Sequence, residues 1–251
     1  MKKDTAWNKS GVWYNDLVEQ AGSYQKDVIL PNLQRLVSLK KGMKLLDLGC
    51  GTGFFSRAWR AAGVDVIGLD NSKDMVKIAR ESDPLGTYTV GNAENLPQYK
   101  TKMFDAVTIV MAIQNMEHPA KVFKECARVL KPQGSVYLVM NHPCFRVPKN
   151  SSWEWNSEKS IQFRRVDTYL SESKNKIQMH PGQDPTDYTV SFHRPLQTYS
   201  KILNNNGFAI TRFEEWISNR IGPKGKTFAA LEQSRKEIPL FLFMEARLIV
   251  H

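Results

Sequence analysis

From Met43 onward the chain alternates short apolar runs with stretches whose apolar residues recur at helical spacing. Met43–Leu48, Val64–Leu69, Thr87–Val90, Phe104–Val110 and Ser135–Met140 read as strands, and the continuous apolar runs among them suit strands buried on both faces. Between them, Phe54 to Ala62, Asn71 or Ser72 to Arg80, and Pro119 to about Lys131 read as helices, the last opened by a proline at its favoured first-turn position. This rhythm predicts a parallel sheet. Upstream, Val28, Ile29, Leu33, Leu36 and Val37 predict a helix over Tyr24–Leu39, with Pro31 marking a kink or restart. Residues 1–23 carry Trp7, Trp13 and Tyr14, too aromatic a set for a disordered tail, and are expected to pack over something.

The rhythm stops after Met140. Residues 141–194 are rich in aromatic and polar side chains without a strand–helix repeat. Ile161–Leu170 and Lys176–His180 alternate weakly and predict a hairpin across Ser171–Asn175. An aromatic insertion of this length reads as an ordered lid or binding loop. A helix over Pro195–Asn205, an alternating strand over Phe208–Trp216 and a nearly continuous apolar strand over Pro239–Val250 follow, with Ile217–Ile238 read as polar loop holding at most a short helix.

Composition narrows the picture modestly. The formal charge is +10, from 35 Lys and Arg against 25 Asp and Glu, but the basic residues are spread along the chain as pairs such as Lys40-Lys41 and Arg164-Arg165. That reads as a solvated basic surface, with nucleic acid a less favoured partner. Cys50, Cys126 and Cys144 have no metal-type spacing and are expected to be free thiols in a reducing compartment, which points to the cytoplasm. No apolar signal segment follows Met1-Lys2-Lys3-Asp4, and the most apolar run is broken by Glu245 and Arg247, so no membrane span is expected.

The candidate chemistry starts at the end of the first sheet strand. Asp47-x-Gly49-x-Gly51-x-Gly53 lets backbone approach a ligand at the start of a helix, whose unpaired amides face it. A dinucleotide fingerprint would need glycine where Phe54 stands, and no lysine completes a phosphate loop. With Asp70 ending the second strand and Asn92-Ala93-Glu94 following the third, residues 40–141 resemble the class I S-adenosylmethionine-dependent methyltransferases, in their small-molecule, ubiquinone-biosynthesis-like branch.

The resemblance implies an α/β fold: a Rossmann-like, seven-stranded, mostly parallel sheet with an antiparallel final strand, helices on both faces, and the aromatic insertion after strand five. It implies a single domain, with cap helices in 1–40, the cofactor-binding half in 41–141, a substrate lid in 142–194 and a C-terminal helix and strand pair in 195–251. S-adenosyl-L-methionine is the implied cofactor, held by Gly49, Gly51 and Gly53, with Asp47 near its amino group or bonded to loop amides. Asp70 would take the ribose hydroxyls, Asn71 and Met75 would flank the adenine, and Asn92 with Ala93 would meet its amino group. Asn92 stands where the family usually has aspartate, so any such bond lacks the charge. Met111 lies where the family places backbone contacts, and Tyr14 is a candidate for the methionine carboxylate. The Asn/Asp-Pro-Pro-aromatic tetrapeptide of base N-methylating enzymes is missing after Val110.

His142, after strand five, and His193, before a helix, are the candidate general bases, ahead of His118 and His180. Cys144 has no evident activating partner. Trp153, Trp155, Phe163 and Phe192 are expected to wall an acceptor pocket, and Arg146, Arg164, Arg165 or Arg194 to hold an anionic group on it. The expected activity is methyl transfer to a small acceptor, aromatic or anionic, at O, N or C. An RNA methyltransferase and a non-catalytic cofactor-binding module are the alternatives, with a nicotinamide-dependent dehydrogenase last.

Overall fold

The continuous apolar runs become the centre of one sheet. The structure, a computed structural model, describes Trp7 and residues 11–178, 188–222 and 224–249. In chain order α1 (Gly11–Glu19) leads through a π-helical turn (Gln25–Ile29) into α2 (Leu30–Leu36), with Pro31 in its first turn. Then come β1 (Lys44–Leu48), α3 (Phe54–Ala61), β2 (Asp65–Asp70), α4 (Lys73–Ser82), β3 (Thr87–Val90), β4 (Phe104–Val110), α5 (Pro119–Val129) and β5 (Leu130–Asn141). The insertion holds β6 (Ser151–Asn156), β7 (Ile161–Val166), β8 (Ser173–Gln178) and β9 (Tyr188–His193). It is followed by α6 (Leu196–Asn205), β10 (Phe208–Trp216), α7 (Phe228–Glu237) and β11 (Phe241–Leu248).

The main sheet has seven strands in the order β3-β2-β1-β4-β5-β11-β10. β1 to β5 run parallel, and β11 lies antiparallel to both its neighbours. Alternate side chains of a strand go to opposite faces, so two cores form. Leu46, Leu48, Val107, Ile109, Leu138 and Met244 pack with Phe123 of α5 and Leu203 of α6 on one face. Leu45, Ala106, Val110, Val139 and Phe243 pack with Leu33 of α2 and Trp59 of α3 on the other. The expected seven-stranded fold is the one observed. Among the described residues no helix is long and apolar enough to cross a membrane.

Three local expectations are corrected. The insertion makes two hairpins: β6 pairs with β7, and β8 with β9 across residues 179–187, so Ile161–Leu170 does not pair with Lys176–His180. His180 itself lies outside the described residues. Residues 228–237 form the full helix α7, whose single buried residue is Ser234, so no apolar stripe announces it. Finally, α5 stops at Val129 and β5 begins at once, five residues earlier than the apolar run suggests.

Candidate active site

The strand order reverses between β1 and β4, and the loops leaving their carboxyl ends diverge there, opening the crevice in which such sheets bind ligands. A cavity of about 390 Å³ occupies it, within the range of small-molecule sites. Its floor comes from Gly49 and Gly51 after β1, Asp70 and Asn71 after β2, and Asn92 and Ala93 after β3. Val110, Met111 and Ala112 close one side, Met75 of α4 another, and Trp7 with Tyr14 and the β8–β9 hairpin complete the wall.

The glycine loop is shaped by close approaches. Gly49 sits at φ 72° and a Cβ on it would stand 2.5 Å from that of Ala112. Gly53, at φ 82°, caps α3 and leaves room for the Tyr88 ring, which an added Cβ would meet at 2.9 Å. Both conditions exclude a side chain.

Asp70 is the chemical centre of the floor. Its Oδ2 accepts the Gly51 amide at 2.9 Å and its Oδ1 the Ser72 amide at 2.8 Å. The carboxylate's remaining lone pairs leave acceptor capacity, which suits the two hydroxyls of a ribose. Burial raises its pKa, while the amides of Ser72, Gly51 and Asn71 act in the opposite sense. Tyr14 lies over Gly51, edge-on to Trp7 at 5.4 Å, its hydroxyl pushed up to about 12 by burial and by Asp70. Asn92 lines the cavity with its Oδ1 accepting the Glu94 amide at 2.9 Å, a local turn that leaves the carbonyl one further lone pair. Met111 adopts φ 55°, uncommon for a residue with a side chain, and its amide donates to Val139 O at 2.8 Å.

Asp47 and Gly53 stand behind the wall. Asp47 is buried, accepting from Ser56 Oγ at 2.5 Å and Thr108 Oγ1 at 2.9 Å, hydroxyls in place of the loop amides that were one of its two expected roles, and it does not line the cavity that the other role called for. Burial pushes its pKa up to about 6 against those two bonds. It remains close enough to Asp70 and Tyr14 for the charges to interact.

Neither candidate histidine reaches the cavity. His142 meets Glu215 Oε1 through Nε2 at 2.7 Å and accepts the Cys144 amide on Nδ1 at 3.2 Å, which commits both nitrogens. Burial lowers its pKa, with Glu215 opposing. His193 follows cavity-lining Phe192 in β9, so strand alternation turns it away, and its Nε2 donates to Tyr169 O at 2.7 Å. Of the aromatic set, Phe192 alone lines this cavity; Trp155 and Phe163 are exposed and Trp153 packs under arginines. Arg194 stacks on Phe192 at 4.8 Å and donates to Glu117 O at 2.8 Å. Arg165 is an exposed partner of Glu154 and Asp167. The reading from sequence missed Asn115, Met116, Glu117, Lys174, Thr189 and Val190, all on the wall. No local motif marks the turn after β4, and β8 and β9 look like wall only once paired.

Residues 46–138 match the profile of the methyltransferase domain. A demethylmenaquinone methyltransferase of Paenarthrobacter aurescens is 36% identical over 120 residues, 47% of this chain and 47% of that protein. A ubiquinone biosynthesis O-methyltransferase of Xanthomonas oryzae is 36% identical over 101 residues, 39% of this chain and 42% of that protein. The chain spans about half the length of the curated relatives it matches. The crystal structure of an S-adenosylmethionine-dependent methyltransferase from Mesorhizobium loti superposes with a TM-score of 0.70 at 27% identity, covering 86% of this chain and 96% of that one. Sheet, crevice and glycine loop thus define a methyltransferase domain of the class I type. Over residues 46–138 the chain is similar to that domain, and its fold is similar to that of the class I S-adenosylmethionine-dependent methyltransferases.

Proposed function

We propose that the chain uses S-adenosyl-L-methionine to methylate a small-molecule acceptor, an activity of the class EC 2.1.1.-. The observation that carries this reading is Asp70, held by the Gly51 and Ser72 amides on the floor of the crevice, acceptor-only and aimed at a diol. The cavity fits the cofactor: a floor of glycine backbone, Met75 as an apolar face for a purine, and the Asn92 amide at its rim. When bound, the cofactor supplies a methyl group already activated on a sulfonium sulfur.

The chain's share is orientation and a dry site. Tyr14, Trp7 and the β8–β9 hairpin wall the cavity, which is where water would be kept out. Asp47 and Asp70 give it a negative interior that favours a cationic ligand. His142 and His193 carry no proton-transfer role in this reading, because neither lines the cavity and both are engaged elsewhere. The relatives' names, and an insertion rich in aromatic side chains, support an aromatic acceptor such as a quinone precursor. Three unpaired cysteines support a cytoplasmic location.

The test is calorimetric titration with S-adenosylmethionine and S-adenosylhomocysteine, followed by mass spectrometry of methylated products from a panel of phenols and quinols. Micromolar binding of both, lost in Asp70→Ala, is expected. Preferential binding of a pyridine dinucleotide overturns the reading. Tight binding without turnover on any acceptor makes the chain a cofactor-binding module instead.

A further inference from the structure

Most arginines here have an acidic partner. Arg35, Arg57, Arg60, Arg128, Arg165 and Arg235 each meet a carboxylate. Arg146 and Arg164 do not: among the described residues neither forms an ion pair, though both are half-buried. They converge on one ring. Trp153 is the cross-strand partner of Arg164, whose guanidinium carbon lies 5.5 Å from the ring centre, while that of Arg146 lies at 5.7 Å. Arg164 is fixed by donating to Phe145 O at 2.8 Å and Ser151 Oγ at 2.7 Å. The Nε of Arg146 is buried without any partner. Burial and the neighbouring Arg146 bring the Arg164 pKa down to about 10, as expected of two cations facing each other without an anion.

Among the described residues no carboxylate balances them. Tyr24 is near enough to influence Arg146, donates or accepts with Ser218 Oγ at 2.9 Å, and lies under the Arg220 guanidinium at 4.3 Å. Glu215, reached through His142, is bonded to that histidine. Tyr24 also packs edge-on to Phe241 at 5.5 Å, and Phe241 pairs with Asn141, the last residue of β5. The cluster therefore lies past the carboxyl end of β5, on the same edge as the cofactor cavity, whose Met111 is bonded to β5 at Val139. An unpaired guanidinium pair on an aromatic platform suits a planar or tetrahedral oxyanion, which it can meet with several donors at once.

We propose that Arg146 and Arg164, stacked on Trp153 beside Tyr24 and Arg220, form the site that holds an oxyanion, a carboxylate or phosphate, of the methyl acceptor. The site deepens the methyltransferase reading, but the anion pocket itself stands on its own geometry. The probes are benzoate, phenyl phosphate and neutral benzamide, titrated calorimetrically into the full chain, with S-adenosylhomocysteine binding measured separately.

At least one anion is expected to bind saturably, at least tenfold tighter than benzamide. The stronger of the two distinguishes a carboxylate from a phosphate site. Arg146→Gln and Arg164→Gln should each lose at least tenfold, and Arg146→Lys less, because it keeps the charge and loses the fork. Arg165→Gln should bind as the parent does. S-adenosylhomocysteine affinity should stay within twofold in all of them, which also reports that they fold. Where a glutamine variant does not fold, the Arg146→Lys measurement decides. Equal binding of benzamide, or undiminished anion binding in the Arg146 and Arg164 variants, overturns the proposal. Anion binding in a chain that ignores S-adenosylhomocysteine would leave this site standing and remove the methyltransferase reading.

Discussion

Two neighbouring regions of one sheet edge carry opposite charge. Over β1 and β2 the crevice is backed by Asp47 and Asp70, with Glu94 and Glu117 on its rim. Over β5 and β11 the exposed side is set by Arg146, Arg164 and Arg220 around Tyr24 and Trp153. The insertion divides between them. The β8–β9 hairpin walls the acidic crevice through Lys174, Thr189, Val190 and Phe192. The β6–β7 hairpin carries Trp153 and leans on α7, where Ser234 Oγ donates to Gln162 Oε1 at 2.7 Å. On the proposed reading one stretch of chain would serve two ligands of opposite charge, divided between its hairpins. A sulfonium cofactor suits the first region and an anionic acceptor the second.

The largest effect should come from the acidic region's anchor. Asp70→Ala removes the acceptor for both the Gly51 amide and a ribose diol, at a cost of about 3 kcal/mol in cofactor affinity, roughly a hundredfold. An unchanged titration would mean the crevice holds something else. Asp47 offers a comparable effect through pH. Its folded pKa near 6 exceeds the ordinary carboxylate value of about 4, so between those values the folded chain keeps a proton that the unfolded chain has lost. Stability contributed by this group therefore falls as pH rises from about 4 to about 6, by up to about 3 kcal/mol, and is level above. Asp47→Asn should flatten that slope in urea melts. A cationic ligand favours the ionised form, so cofactor affinity should weaken as pH drops below about 6 in the parent and not in the variant.

The hairpin division is sharpened by a pair of single changes. Phe192→Ala should weaken S-adenosylhomocysteine about tenfold through lost apolar contact, whereas Trp153→Ala should leave it within twofold. Equal losses would erase the boundary. For the same reason, removal of residues 150–190 is expected to cost cofactor affinity as well as transfer, because Lys174 and Thr189 belong to the cavity wall. The smallest effect belongs to the Lys174–Glu117 ion pair, 2.8 Å long and half exposed, which ties β8 to the turn after β4. Lys174→Ala should change cofactor affinity by about 0.5 kcal/mol at low salt and less at high salt, by titration at two ionic strengths.

The acidic region was largely legible in the sequence because its signals are local. Gly49, Gly51 and Gly53 follow an apolar strand within five residues, and Asp70 ends the next one. Ser72 also caps α4 as expected, accepting the Met75 amide at 3.2 Å. The partners of Asp47 were hidden by distance in the chain: Thr108 becomes its neighbour only through the β1–β4 register. His142 was placed correctly after a strand and His193 before a helix, but position along the chain does not fix a side chain's direction, and Glu215 and Tyr169 claim them. In the insertion, β8 finds its partner beyond residues 179–187 while β7 looks back to β6. Weak alternation without a buried face leaves such pairing undetermined.

Met111 has a consequence of another kind. Its left-handed backbone at the mouth of β4 costs about 1–3 kcal/mol that the surrounding bonds to Val139 and Gln114 must hold in place. Met111→Gly would release that tension but lose the side chain's packing against the core around Val110 and Val139, so its melting point should stay close to the parent's while turnover falls as the loop loses its single direction. Tension in the backbone and packing of the side chain are thereby set against each other at one residue.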